Sequence, residues 1–107
     1  MKPGDIVLVP FPFTNLSSAK TRPALVIHEN AYDHDMIALS LSSQFNDFSI
    51  KVTNKDLVTG ELPVVSFVRY KKVATLDKSI VNKKIAVLNG KLLKEVIAKF
   101  KGLFSEP

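Results

Sequence analysis

Of the fifteen basic side chains in the sequence only two are arginines, Arg22 and Arg69. A guanidinium stays charged at any physiological pH and presents a rigid fork of donors that matches phosphate geometry, so these two are the better phosphate ligands of the set. Arg22 is followed by Pro23, and a residue before proline is driven out of the helical region into an extended conformation. Its backbone is therefore fixed where a polar segment, Asn15 to Lys20, meets the apolar run Ala24-Leu25-Val26-Ile27. Such an arginine either neutralises a phosphate at the mouth of the core or pairs with a carboxylate at the strand start, and the local residues weigh the two equally. A second polar group, Ser42-Ser43-Gln44, ends an alternating segment. Its hydroxyls can donate to a phosphate oxygen, although serines in that position more often form turns.

Other chemistries find no support. Without cysteine there is neither a disulfide framework nor a thiolate metal site. The sequence has no glycine-rich phosphate loop, no His-Glu-x-x-His and no nucleophile elbow, and no paired carboxylates of the glycosidase kind. His28, Glu29, Asp33, His34 and Asp35 crowd one stretch, but their spacing matches no established metal site and suits a polar turn. No cofactor and no metal are expected.

The elements that must position these groups are mostly strands. Ile6 to Val9 is apolar on both faces and β-branched, which reads as a buried strand. Pro10 and Pro12 remove backbone donors, placing Phe11 and Phe13 at an edge or in a loop. Arg22 to Ile27 opens a second buried strand, and Glu29 to Asp35 is a polar turn. Met36 to Ser43 alternates, with Ile37, Leu39 and Leu41 on one face and Ala38, Ser40 and Ser42 on the other. Ser49 to Thr53 alternates too, and Asn54 to Gly60 carries turn chemistry. Val64 to Arg69 and Lys72 to Leu76 predict a strand pair of hairpin type, Asp77 to Asn82 a short helical turn, and Lys83 to Leu88 a last strand. Then the period changes: Leu93, Val96, Ile97, Phe100, Leu103 and Phe104 follow helical spacing behind Asn89, a good N-cap. The regular run of short strands closed by one helix predicts a small β-barrel, a single domain over residues 1–107.

Composition sets the outer limits. At 107 residues and 46% hydrophobic, the chain has the size and the apolar content for one core. The longest apolar run, Ile6 to Phe13, is broken by two prolines and is too short to cross a bilayer, and no secretion signal is legible; a cytoplasmic protein with no membrane partner is expected. The net charge of +5 calls for an acidic partner, unless the lysines serve solubility alone. It is unevenly spread: residues 1–50 carry three basic and five acidic groups, residues 51–107 twelve and five.

Four segments, Gly4-Asp5-Ile6-Val7-Leu8-Val9, Thr21-Arg22-Pro23-Ala24-Leu25-Val26-Ile27, Ser42-Ser43-Gln44 and Thr75-Leu76-Asp77-Lys78, together resemble the MazF/PemK toxins of type II toxin–antitoxin systems. The resemblance runs through nearly the whole chain in the same order; the first two segments are specific as a pair and the last two weak alone. It implies an SH3-like barrel with a C-terminal helix, a homodimer, and metal-independent, sequence-specific cleavage of single-stranded RNA. It also implies inhibition by a cognate antitoxin with an acidic tail. Carried over by position, Arg22 matches the catalytic arginine of the family's Arg-Pro motif. Ser42 stands where many members have the threonine of Thr-x-Gln, and Gln44 matches its glutamine. Serine keeps the hydroxyl but lacks the methyl that stiffens the rotamer. Arg69 matches an arginine that Kid-type members use as general acid in an Arg-x-Asp pair. The Asp position is Lys71 here, which cannot act as a carboxylate base, so the Arg22/Ser42 scheme is preferred.

On that resemblance the ribose 2′-OH is the nucleophile and the product a 2′,3′-cyclic phosphate. Arg22 stabilises the charge of the phosphorane-like transition state and Ser42 donates to a non-bridging oxygen. Lys20, Ser43, Gln44, Arg69 and Lys71 hold the flanking RNA. Arginine is a poor base in free form, and the sequence names no carboxylate or histidine for that step. Phe11 and Phe13 fit core or edge packing better than the alternative, a platform on which a base stacks. A rival reading keeps the barrel but not the catalysis, making it a module that binds RNA or a protein, or a gyrase poison like the related CcdB barrels.

Overall fold

The computed structural model describes residues 1–11 and 20–105. Seven strands, β1 (Asp5–Pro10), β2 (Thr21–Glu29), β3 (Asp35–Ser42), β4 (Ser49–Val52), β5 (Leu57–Gly60), β6 (Ser66–Asp77) and β7 (Lys83–Leu88), precede one helix, α1 (Gly90–Gly102). All pairings are antiparallel, and the strands lie in the order β4-β6-β3-β2-β1-β7-β5. The sheet is not closed by hydrogen bonds. It nevertheless curls, because β4 and β5, its two ends, both feed one apolar cluster: Ile50 and Val52 from one side and Leu57 from the other.

Strict alternation gives the sheet two apolar faces. Ile6, Leu25, Leu39, Leu41 and Val68 form the concave core with Val96, Leu92, Leu93 and Phe100 of α1 laid across it. Val7, Val9, Phe11, Ala24, Val26, Met36 and Ala38 form a second cluster on the opposite face. The alternation expected in β3 is therefore present, but Ala38 and Met36 are as buried as Leu39. Phe11, with 3% of its surface exposed, belongs to this second cluster, so it cannot serve as a stacking platform; Phe13 lies outside the described residues.

Asn89 caps α1, its Oδ1 accepting from the Leu92 N–H at 2.8 Å, a contact of a kind that contributes about 1 kcal/mol. Two segments depart from the expected pattern. The predicted hairpin over 64–76 is one long strand, β6, whose pairing with β3 shifts between Ser40↔Arg69 and Leu39↔Val73. The residues Tyr70-Lys71-Lys72 bulge out there instead of turning the chain, since no Gly, Asn or Asp is present to make a tight turn. In the stretch 54–60, read as turn throughout, the turn is confined to a short 3-10 segment, Asn54–Asp56, and Leu57–Gly60 joins the sheet as an edge strand beside β7. Gly60 (φ +80°) is required there: a Cβ would lie 2.1 Å from the Ile85 carbonyl oxygen.

Candidate active site

The second apolar face runs out along β2 and β3. Past Ala24 the next residue on that face of β2 is Arg22; past Ala38 the next on β3 are Ser40 and Ser42. Antiparallel register brings these together, because Ala24 pairs Ser40 and Ser40 in turn pairs Arg69 of β6. Three neighbouring strands thus contribute Arg22, Ser42 and Arg69 to one patch, with the hydroxyl strand between the two arginines.

A cleft of about 440 Å³ opens at this patch. Arg22, Ser40, Ser42, Ser43, Gln44 and Arg69 supply its polar wall, and Leu62, Pro63 and Val64 its apolar one. Among the described residues that line it there is no carboxylate and no histidine. Any anion entering meets two guanidinium groups, hydroxyls and an amide, all of them able to donate.

Local bonding prepares these groups. Arg22 is extended and paired with Val9 in the β1–β2 ladder, as the proline after it requires, and its side chain is exposed to the cleft. The Ser42 Oγ accepts from the Gln44 N–H at 3.1 Å. This bond uses one lone pair and leaves the hydroxyl proton free to donate, and it anchors a rotamer that the missing methyl would otherwise leave looser. The Arg69 Nε is buried and, among the described residues, has no hydrogen-bond partner. A buried donor left unmade costs about 1–3 kcal/mol.

Two residues expected beside RNA stand outside the cleft. Lys20 is exposed ahead of β2. Lys71 shares a parity with Arg69, but the bulge at Tyr70–Lys72 takes it off that wall, and its Nζ sits 4.0 Å above the centre of the Phe48 ring. The Thr75–Lys78 segment is also remote from the cleft, and its work is structural. Asp77 accepts from the Ser79 N–H, Lys78 Nζ pairs with Glu29 at 2.7 Å, and the Lys78 N–H donates to the His34 carbonyl. Glu29 is thus engaged with a lysine, and among the described residues no three histidines or acids are grouped as metal ligands. Nor did sequence reasoning single out the aromatic pair Phe45 and Phe48 in the β3–β4 connection, for two rings in a short loop have no period to read.

An open, curled antiparallel sheet with one covering helix and a doubly cationic cleft at the β2–β3–β6 junction defines a small barrel-like protein whose cleft suits an anion. Residues 2–104 match the family of PemK-like, MazF-like toxins of type II toxin–antitoxin systems, and the chain belongs to that family. No curated relative matches it by sequence. Among solved structures, it resembles a mycobacterial endoribonuclease in complex with its cognate antitoxin (TM-score 0.76, 14% identity, covering 100% of this chain and 99% of that one). It also resembles MazF in two MazE–MazF crystal forms from Deinococcus radiodurans. One has TM-score 0.72 and 22% identity, covering 100% and 97% of the two chains; the other has 0.68 and 25%, covering 96% and 94%.

Proposed function

We propose that this toxin is a sequence-specific endoribonuclease that cuts single-stranded RNA in the cytoplasm, using the substrate's own 2′-OH and no metal, and that a cognate antitoxin with an acidic tail restrains it. The observation that carries the reading is the cleft wall: two guanidiniums flank a strand of hydroxyls, and among the described residues no carboxylate lines the cleft to repel a phosphate.

The chemistry follows from what RNA brings. The 2′-oxygen attacks the adjacent phosphorus as its proton leaves to solvent, the bond to the 5′-oxygen breaks as that oxygen takes up a proton, and a 2′,3′-cyclic phosphate and a free 5′-hydroxyl result. What the protein must supply is an in-line conformation and stabilisation of the added negative charge at phosphorus. Arg22 faces that charge with a fork of donors. Ser42, its oxygen already held by the Gln44 N–H, donates its proton to a non-bridging oxygen. Arg69 offers its Nε, which lacks a partner among the described residues, to a neighbouring phosphate, while Ser43 and Gln44 lie along the same wall; Lys20, exposed ahead of β2, would meet RNA beyond the cleft. A homodimer, with the groove continued onto the second copy, is part of the same proposal.

Arg22→Ala tests it. Because Arg22 is exposed and its backbone is set by Pro23, the variant keeps the fold. It is expected to lose at least about a hundredfold in the cleavage rate of unstructured RNA in EDTA, the scale of losing one preorganised donor to a developing charge. Wild-type products should carry 2′,3′-cyclic phosphate ends. Undiminished cutting by Arg22→Ala would remove the assignment.

A further inference from the structure

Next to the cleft the β3–β4 connection displays two exposed aromatic rings, Phe45 (69% exposed) and Phe48 (43%). Exposed phenylalanines are usually accidents of a mobile loop, but this loop is tied down by its own polar side chains. The Asn46 Oδ1 accepts from the Phe48 N–H at 2.8 Å, the Ser49 Oγ accepts from the Asn46 N–H at 3.1 Å, and the Ser49 hydroxyl donates to the Asn46 carbonyl. At its start stands the Ser42–Gln44 bond of the cleft wall. The rings are seated as well. Phe45 meets Phe67 edge to face with centroids 5.9 Å apart, and Phe48 meets Tyr70 in the same way at 6.2 Å.

The position of the pair relates it to the cleft. Phe67 lies opposite Ser42 in the β3–β6 ladder and, two residues from Arg69, on the same face of β6. Phe45, resting its edge contact on Phe67, therefore continues the wall that begins at Arg22 and passes through Ser42. Phe48 instead follows Tyr70, which belongs to the concave core, and the Lys71 Nζ lies 4.0 Å above its ring. Among the described residues Phe45 is thus the exposed ring that continues the cleft's own side of β6.

We infer that Phe45 forms a subsite for one nucleotide outside the scissile step, stacking its base. This rests on the ribonuclease reading of the cleft. It assigns to Phe45 the stacking that the buried Phe11 cannot perform. Phe48 packs on Tyr70 and carries Lys71 on its ring, so Phe45 is the platform.

The test uses the intact protein and an unstructured oligonucleotide with every sugar 2′-O-methylated, which binds but cannot be cut. Stacking on one aromatic ring is worth about 1–3 kcal/mol, so Phe45→Ala should weaken binding roughly five- to 150-fold. Phe45→Trp should restore it and Phe45→Leu should not. With 5-iodouracil placed along the oligonucleotide, irradiation should attach one position to Phe45. Wild-type affinity in Phe45→Ala, full rescue by Phe45→Leu, or crosslinks that reach only other residues would overturn the subsite while leaving the nuclease standing. So would a variant whose only loss is in binding an acidic antitoxin peptide, since the ring would then be a protein contact. If the wild type neither binds nor cuts RNA, the ribonuclease reading itself falls, and the subsite with it.

Discussion

At the scale of single residues the cleft holds an energetic contradiction in Arg69. Its Nε is buried without a partner among the described residues, so the folded toxin carries a desolvated donor there. Natural proteins tolerate such a defect where a ligand removes it. Replacing Arg69 with methionine keeps much of the length and removes the unmade bond. Arg69→Met is therefore expected to be more stable than wild type by about 1 kcal/mol, a rise of roughly 4–8 °C in melting temperature for a chain of this size, and to bind single-stranded RNA more weakly. Thermal melts beside binding isotherms check both directions. A variant less stable than wild type would mean that Arg69 serves the fold and not the ligand. Ser42 shows the opposite economy, since one of its lone pairs secures the loop while its proton stays available.

At the scale of elements, the joint that keeps β2, β3 and β6 in register is remote from the cleft they build. Lys78, just past β6, holds Glu29 at the end of β2 and the Asn30 carbonyl beyond it, and its N–H meets the His34 carbonyl. The hydrogen bond from Lys78, helped by its charge, draws the Glu29 carboxyl below its ordinary pKa of 4.5. Asp77 is lowered likewise, chiefly by hydrogen bonds from Ser79. A carboxylate whose folded pKa is depressed adds stability that is fully present above its unfolded pKa and disappears as pH falls through the lower, folded value. Wild type should therefore melt above Glu29→Gln at pH 7, with the gap closing as pH drops below about 4; melting curves across that range test it, and a gap independent of pH would show the ion pair to be idle. The joint also illustrates what a linear reading can reach. Lys83–Leu88 and the capped helix behind Asn89 were legible because period and cap are local signals, and Arg22 was legible because Pro23 dictates its backbone. The bulge in β6 was not, for Tyr70-Lys71-Lys72 leaves the ladder only because Leu39 and Ser40 hold both ends of it. That single irregularity separates Lys71 from Arg69, two positions away in sequence, and takes it out of the cleft where it was expected beside RNA. The edge strand Leu57–Gly60 was hidden for a similar reason, its pairing being supplied by residues 26 to 31 positions away.

At the scale of the whole molecule the question is whether the charge of +5 acts as a general glue or is focused. The helix bearing Lys91 and Lys94 packs on the concave core, while Arg22, Ser40 and Ser42 lie on the other face of the sheet, so much of the positive charge is far from the cleft. Exposed charges separated by more than about 8–10 Å are largely screened at physiological salt. Affinity for a strand in the cleft should thus depend on the cations that touch its phosphates, which the proposed site puts at two: Arg22 and Arg69. Each phosphate neutralised on a single strand contributes about −0.7 to the slope of log K against log salt, which gives about −1.4 for the wild type. Arg22→Ala should make the slope shallower by about 0.7. Reversing Lys91 and Lys94 together should leave the slope where it is and lower only the association rate at low salt, because those lysines feel the RNA at long range and touch none of it. Titrations of the non-cleavable oligonucleotide at several salt concentrations separate the cases. A slope that steepens or flattens with the helix lysines as strongly as with Arg22 would mean that RNA spreads over the basic surface at large, and that the cleft does not choose where it lies.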